Sequence, residues 1–357
     1  MVNNYMIRYL SIALLTLALR ADTVDFTTFV QSSAIASANG GNTSVIAFNY
    51  AGNKFVGSLY PSDPQLYQTN LTGGGVQAFG TPVPGASGEI VLGVSTKSFG
   101  TAGDVYAGSE SGTQIYHYAN SGGSPTLFAT LPGGAGDIRQ IFFDPGSSFG
   151  GNMLVTTSSG QIYQVTSTGS FSLLANIGAD TEGMDIAGSA WGPYAGQLLV
   201  GSEGTGDLNL ISNTGFVTQV GTADEFPGAE TVSFVPTTLD SSDPLQGFYV
   251  ANYAQNIQFA AASNFLSLEG DAVVTDEVGG STMWDVHYDS GSGNFVKTPF
   301  TFTGNSISQF EDGIFVTGQR EIVIGGTVPE PSTIILLALV IGAACFLRRR
   351  KPVSSQI

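Results

Sequence analysis

From about residue 50 to residue 250 the chain alternates short apolar runs with polar, glycine-rich turns, and the runs have the length of strands rather than helices. Four segments line up on a turn Asn or Gly that leads into an apolar strand: residues 53–58, 103–109, 151–157 and 196–202. Residues 247–252 follow the same scheme. After each of the first four comes a second strand, at 65–68, 114–117, 161–164 and 207–210. Its central residues Leu66, Ile115, Ile162 and Leu208 are 49, 47 and 46 positions apart. A third strand follows a glycine turn, as at 126–129 and 170–175, and a fourth precedes each leading glycine, at 89–92, 137–143, 184–187 and 230–235. Nothing between Asp22 and Thr327 reads as a helix.

Four strands in a period of about 47 residues is the pattern of a β-propeller blade. The expected fold is therefore all-β: a propeller of six blades, within a range of five to seven, over residues 22–325. Five units are visible. A sixth is expected in residues 271–301, with residues 310–316 supplying the strand that closes the ring and removes exposed sheet edges. A pair of β-sandwiches is the rival architecture, and the period argues against it. The one Trp-Asp pair, Trp284-Asp285, does not recur, so WD40 blades are not indicated. Residues 141–155 loosely resemble blades of the NHL and gluconolactonase-like propellers, a likeness that carries no activity with it.

The two ends read differently. Arg8 precedes an apolar run over residues 10–19, too short for a bilayer span of about 20 residues but suited to a signal peptide. Cleavage by signal peptidase is expected after Ala21, making residues 1–21 the leader. At the other end stand Val328, Pro329, Glu330, Pro331, Ser332 and Thr333, then an apolar helix over 333–347, then Arg348, Arg349, Arg350 and Lys351. The two prolines hold the chain extended, and Ser332 or Thr333 can cap the helix behind them. Fifteen helical residues reach about 22 Å, which spans a locally thinned bilayer if the arginines snorkel. The basic cluster leaves everything before Pro329 outside the cytoplasm.

Those three elements in that order resemble the PEP-CTERM sorting signal over residues 326–351, within a C-terminal segment of 326–357. The resemblance implies recognition and cleavage by an exosortase, an integral-membrane protease of Gram-negative bacteria that make exopolysaccharide. The protein would be held transiently in the inner membrane and then reach the cell surface, the outer membrane or the extracellular space. An uncut tail anchor is the alternative.

Charge narrows the partners. Six of the 11 Lys and Arg lie in the end signals, which leaves Lys54, Lys97, Arg139, Lys297 and Arg320 against 28 Asp and Glu, a difference of −23. Nucleic acid and anionic lipid would repel such a body. The only cysteine, Cys345, lies in the C-terminal apolar run, so the propeller must hold together without a disulfide.

Enzyme signatures are missing: there is no Gly-x-Ser-x-Gly elbow, phosphate loop, His-Glu-x-x-His or Cys-x-x-Cys. Of the two histidines, His117 reads as a surface strand residue, and His287 shows no periodic carboxylate partner. One polar feature does recur. Glu89, Asp137, Glu182 and Glu230 open the presumed inner strands at spacings of 48, 45 and 48, and Glu311 holds a comparable place. Converging at one end of a channel, adjacent carboxylates about 8 Å apart would cost on the order of 2 kcal/mol per pair at an effective dielectric near 20. Dispersal into solvent, raised pKa values or a bound hard cation such as Ca²⁺ would relieve that. Solvated turn-capping is the plainer reading of the five. The run Asp289 to Asn294 reads as a Gly-Ser hairpin turn rather than a calcium loop. Tyr67, Tyr116 and Tyr163 read as blade packing, with sugar stacking as the alternative. The functional expectation is an exported surface or matrix protein that binds or organises exopolysaccharide or other surface components. The alternative is a metal-dependent propeller hydrolase or lactonase built on the carboxylate ring.

Overall fold

A computed structural model describes residues 22–60, 63–278 and 281–317. The expected leader at 1–21 and the C-terminal signal, with its helix at 333–347, lie outside the described residues. Among the described residues no helix is long and apolar enough to cross a membrane.

The strands form six sheets, one for each of six propeller blades. Blade 1 is Val45–Tyr50, Phe55–Leu59, Asp63–Thr69 and Gln77–Phe79, from the channel outward. Blade 2 is Ile90–Val94, Val105–Ser109, Gln114–Tyr118 and Thr126–Thr130; blade 3 is Ile138–Phe143, Met153–Thr157, Gln161–Val165 and Phe171–Asn176. Blade 4 is Met184–Ile186, Leu198–Gly201, Leu208–Ile211 and Val217–Val220. In each of these four, consecutive strands pair antiparallel, so the repeat in the sequence is the blade in space. Leu66, Ile115, Ile162 and Leu208, which set the period, are all fully buried.

Blades 5 and 6 exchange strands, and here the reading from sequence needs correction. The inner strand of blade 5, Ala229–Phe234, is not followed in its own sheet by Gly247–Asn252. That strand and Asn256–Ala261 belong to blade 6, and the chain then returns to complete blade 5 with Ala272–Asp276, Met283–Asp289 and Asn294–Pro299. The segment expected to be a sixth unit is thus the outer three-quarters of the fifth. Phe310–Val316 lines the channel in blade 6, pairing with Gly247–Asn252. The ring is closed by the N-terminal strand Thr23–Val30, which pairs antiparallel with Asn256–Ala261 and parallel with Thr301–Gly304. A second correction is local: Ser32–Asn39 is an α-helix of 8 residues, ended by Gly40 in the left-handed conformation at φ 80°.

Burial follows the radial order. Inner and second strands such as Ile90–Val94, Val105–Ser109 and Met153–Thr157 are buried along their whole length, whereas outermost strands such as Phe171–Asn176 are mostly exposed. Apolar side chains gather in six clusters, one in each wedge between neighbouring blades, including the seam between blades 6 and 1. At that seam Phe48 and Phe55 stack at 4.9 Å, and Phe29 and Tyr249 pack edge-on beside them. Inner strands approach so closely that a Cβ on Gly183 of blade 4 would sit 2.3 Å from the backbone nitrogen of Val232 in blade 5.

Candidate functional site

In a propeller the inner strands run side by side in one sense, so their first residues meet at one mouth of the channel and their last at the other. Glu89 and Asp137 immediately precede the inner strands of blades 2 and 3, and Glu182 stands two residues before that of blade 4. Glu230 and Glu311 are second in the inner strands of blades 5 and 6. The structure brings Glu89, Glu182, Glu230 and Glu311 within electrostatic reach of one another. Asp137 holds the equivalent place in blade 3, where its backbone N–H donates to Ser158 Oγ at 2.9 Å and its backbone carbonyl accepts from Ser158 N–H at 2.9 Å.

The centre of that mouth is held by Arg139, two residues further along, a residue that spacing alone did not single out. Its Nε donates to Asp180 Oδ1 at 2.8 Å, Nη1 lies 2.9 Å from Glu182 Oε1, and Nη2 lies 2.9 Å from Glu203 Oε2. Nη1 also pairs with Glu110 and stands 3.9 Å from Glu89 Oε2, while Nη2 reaches the second oxygen of Asp180. One guanidinium thus ties blade 3 to blade 2 through Glu89 and Glu110 and to blade 4 through Asp180, Glu182 and Glu203. Only a rigid fork of five donors serves so many acceptors at once. Burial on its own would lower the pKa of Arg139, but the Asp180 hydrogen bond and the surrounding carboxylates outweigh it. Its charge is therefore fixed. Glu89, Glu110 and Glu182 each offer an oxygen within 4.8 Å of the others, spacing that a metal would also accept, and Arg139 is bound to all three.

The half of the mouth formed by blades 5 and 6 is more sparsely served. Gln309 Nε2 donates to Glu277 Oε2 and to Glu311 Oε1, both at 3.0 Å. Gln140 of blade 3 reaches across the channel to Asp312 Oδ1 at 3.2 Å. Glu311 and Glu230 are only 2% and 6% exposed. Burial, then the charges of Glu89 and Glu277, pushes Glu311 up to about 10; burial, then Glu182, raises Glu230 well above the usual carboxylate range. Glu89 is pushed up to about 8 by burial and by Glu182, and Asp312 to about 7 by burial. Exclusion of water, and for the glutamates the convergence of like charges, favours the protonated form of these groups in the absence of a cation.

The opposite mouth has another chemistry. The far ends of all six inner strands surround a cavity of about 250 Å³, with Tyr50, Val94, Phe143, Phe234 and Phe315 on its wall. Asp185 is the charged side chain there, and its carboxylate accepts from the backbone N–H of Phe234 at 2.8 Å and of Ile186 at 2.7 Å.

The remaining sequence candidates fall elsewhere. His117 is half-buried, with Nε2 2.8 Å from Asp104 Oδ2. Tyr163 is buried in the wedge between blades 2 and 3, and Tyr67 and Tyr116 pack against neighbouring clusters, as expected for blade packing. Asp289 to Asn294 is a hairpin turn: Asp289 pairs with Asn294, and its Oδ1 accepts from Gly291 N–H at 2.9 Å. His287 does have carboxylate neighbours: Asp285, two residues away on the same strand, and Asp271, across the sheet.

A match to a family model covers the segment behind the propeller. Residues 327–351 match the PEP-CTERM protein-sorting motif. This chain carries an exosortase sorting signal. The PEP-CTERM motif marks the protein as exported, with a membrane-anchored sorting segment at its C-terminus. No curated protein matches the sequence as a whole. Among solved structures, the propeller is similar to a structural genomics protein of unknown function from Bacteroides thetaiotaomicron VPI-5482, with a TM-score of 0.51 at 13% identity over 82% of this chain and 71% of that one. Weaker likenesses include a chain of a nidogen/laminin complex (TM-score 0.41, 11% identity, 72% of this chain and 97% of that one). Another is a catalytically inactive virginiamycin B lyase from Staphylococcus aureus with quinupristin (0.42, 13%, 76% and 94%). At such identities the likeness concerns the fold alone. It places this PEP-CTERM protein among propellers and assigns it no activity.

Proposed function

We propose that this protein is an exported binding module, cut at its PEP-CTERM segment and displayed outside the cytoplasm, whose acidic channel mouth takes up a hard cation and through it a surface component. The observation that carries the reading is the imbalance at that mouth. Nine carboxylates (Glu89, Glu110, Asp180, Glu182, Glu203, Glu230, Glu277, Glu311 and Asp312) surround one guanidinium, and that guanidinium serves only the side formed by blades 2 to 4. Glu230, Glu277 and Glu311 carry oxygens of the kind that suits Ca²⁺, though they do not converge as closely as the trio that Arg139 serves, so the ion would draw them together. An acidic exopolysaccharide would share such an ion with its own carboxylates, so that a negatively charged propeller could hold a negatively charged polymer. A hydrolase built on the same ring is disfavoured, because Arg139 already occupies the trio Glu89, Glu110 and Glu182 that would hold its metal.

Two measurements test this. The first is the intact mass of the protein from its native host, with and without replacement of Pro329, Glu330 and Pro331. Loss of the C-terminal segment in the unaltered protein and its retention in the variant is the expected result; an uncut chain in both would make the propeller a permanently anchored domain. The second is cosedimentation with the host's exopolysaccharide. Binding is expected with millimolar Ca²⁺, is lost with a chelator, and is weakened several-fold in Glu311→Gln. Binding that ignores both treatments would sink the cation-bridged reading.

A further inference from the structure

A second group of titratable side chains lies away from the channel, at the seam where blade 5 meets the N-terminal strand. The register of blade 5 builds it. Ala272 pairs with Val286 and Val273 with Asp285, so continuing by one residue sets Asp271 opposite His287. Asp285 and His287, two residues apart on one strand, share a face, and Asp271 is their cross-strand neighbour on that face. Each of the three offers a ligand atom within 4.8 Å of the others. Asp22, whose carbonyl accepts from Thr301 N–H at 2.9 Å where the N-terminal strand joins the sheet, adds a further charge felt by Asp271 and Asp285.

Two observations point to a ligand here. Asp285 is 5% exposed, yet its Oδ1 meets no hydrogen-bond donor. Such an oxygen is costly unless something positive reaches it. In addition, the carboxyls of Asp271 and Asp285 lie within hydrogen-bonding reach of each other, an arrangement that two carboxylates tolerate only with a shared proton or a cation between them. One distance fits a shared cation. His287 Nδ1 stands 3.3 Å from Asp285 Oδ2, long for a charge-assisted hydrogen bond of about 2.7–2.9 Å. It matches the ligand-to-ligand edge of a tetrahedral site, which is about 3.3 Å when the metal–ligand bonds are about 2.0 Å.

We propose that Asp271, Asp285 and His287 form a divalent-metal site, with Asp22 as an outer ligand, suited to a first-row transition ion such as Zn²⁺ or Mn²⁺. The imidazole makes the choice, since Ca²⁺ and Mg²⁺ favour all-oxygen sets. The site joins the second and third strands of blade 5 to the residue just before the closing strand of blade 6. Metal binding there ties blade 5 to the start of the strand that closes the ring. In an exported body without cysteine, the ion acts where a disulfide otherwise would.

The test uses the tag-free full chain in detergent, stripped with a chelator and titrated in a calorimeter with ZnCl₂, MnCl₂ and CaCl₂. One equivalent of Zn²⁺ or Mn²⁺ should bind at micromolar or lower Kd and raise the melting temperature by several degrees. His287→Ala, at a half-exposed position that should leave the fold intact, should weaken that binding at least tenfold. Asp285→Asn should do the same and Asp22→Asn less, whereas Glu311→Gln at the channel should leave Zn²⁺ binding unchanged. Absence of Zn²⁺ and Mn²⁺ binding, or binding of equal strength in a folded His287→Ala variant, overturns the proposal and leaves a shared proton between Asp271 and Asp285.

Discussion

The two mouths of the channel are built by the two ends of the same six strands, yet they solve the burial of polar groups in opposite ways. At the mouth where the strands begin, carboxylates converge and are managed by one guanidinium, two glutamine amides and retained protons. At the mouth where they end, aromatic rings line the wall and the carboxylate of Asp185 is met by backbone N–H groups. The second arrangement is ordinary protein interior; the first holds electrostatic work that only a ligand, a proton or an exchanged cation can release. On the proposed reading, that difference makes the acidic mouth the end suited to binding.

Removing the cation at that mouth should have the largest effect. Arg139→Gln leaves the carboxylates of Asp180, Glu182 and Glu203 without their partner, a loss of the class worth about 3–5 kcal/mol for a buried ion pair. For a domain of this size that corresponds to a fall in melting temperature of about 10 °C. A variant that melts within a degree or two of the parent would show that the clamp contributes little.

Changing pH should come next. A carboxyl whose folded pKa lies above its unfolded value, about 4 for Asp and about 4.5 for Glu, binds its proton more tightly in the folded state. The stability it contributes is complete below the unfolded pKa and is lost as pH rises through the folded one. With Asp312 at about 7, Glu89 at about 8 and Glu311 at about 10, the urea midpoint should fall steadily between pH 5 and pH 10. Millimolar Ca²⁺ should flatten that slope, because a bound cation stabilises the ionised carboxylates. A midpoint that stays level, or rises, over that interval contradicts the reading.

Smaller effects separate the two mouths. Glu311→Gln should stabilise the protein at pH 9 and reduce its pH slope, since it removes a carboxyl raised to about 10. Asp185→Asn weakens two hydrogen bonds to backbone N–H groups at the other mouth and should cost about 1 kcal/mol, read as a shift of the urea midpoint at neutral pH. A midpoint unmoved in that variant would show that these bonds do not hold the second mouth together.

Legibility in the sequence followed locality. Blades 2 to 4 were readable because each is made of consecutive strands whose glycine turns and buried Leu66-type positions recur within one period. Residues 247–252 carry the same local pattern, yet pair in blade 6, because in the exchange between blades 5 and 6 the inner strand Ala229–Phe234 skips its sequence neighbour for a partner about one blade period further on. The N-terminal strand Thr23–Val30 gave no periodic sign of closing the ring, since it stands outside the repeat. At the site, regular spacing pointed to Glu89, Glu182, Glu230 and Glu311 but also to Asp137, whose carboxylate is not among those paired with Arg139. Arg139 had a signal of its own: it is the only Lys or Arg between Lys97 and Lys297, in a body rich in carboxylates. The neighbours of His287 were half legible, as Asp285 is two residues away on the same strand, whereas Asp271 requires the register across the hairpin.

The central claim is that the acidic mouth, on its blade 5 and 6 side, takes a hard cation. Calorimetric titration of the full chain in detergent with Ca²⁺, alongside Glu311→Gln and Asp185→Asn, tests it most directly. The account predicts saturable heat and a raised melting temperature in the parent and in Asp185→Asn, both lost or cut several-fold in Glu311→Gln. No heat and no shift at millimolar Ca²⁺, or an unchanged response in Glu311→Gln, would contradict it.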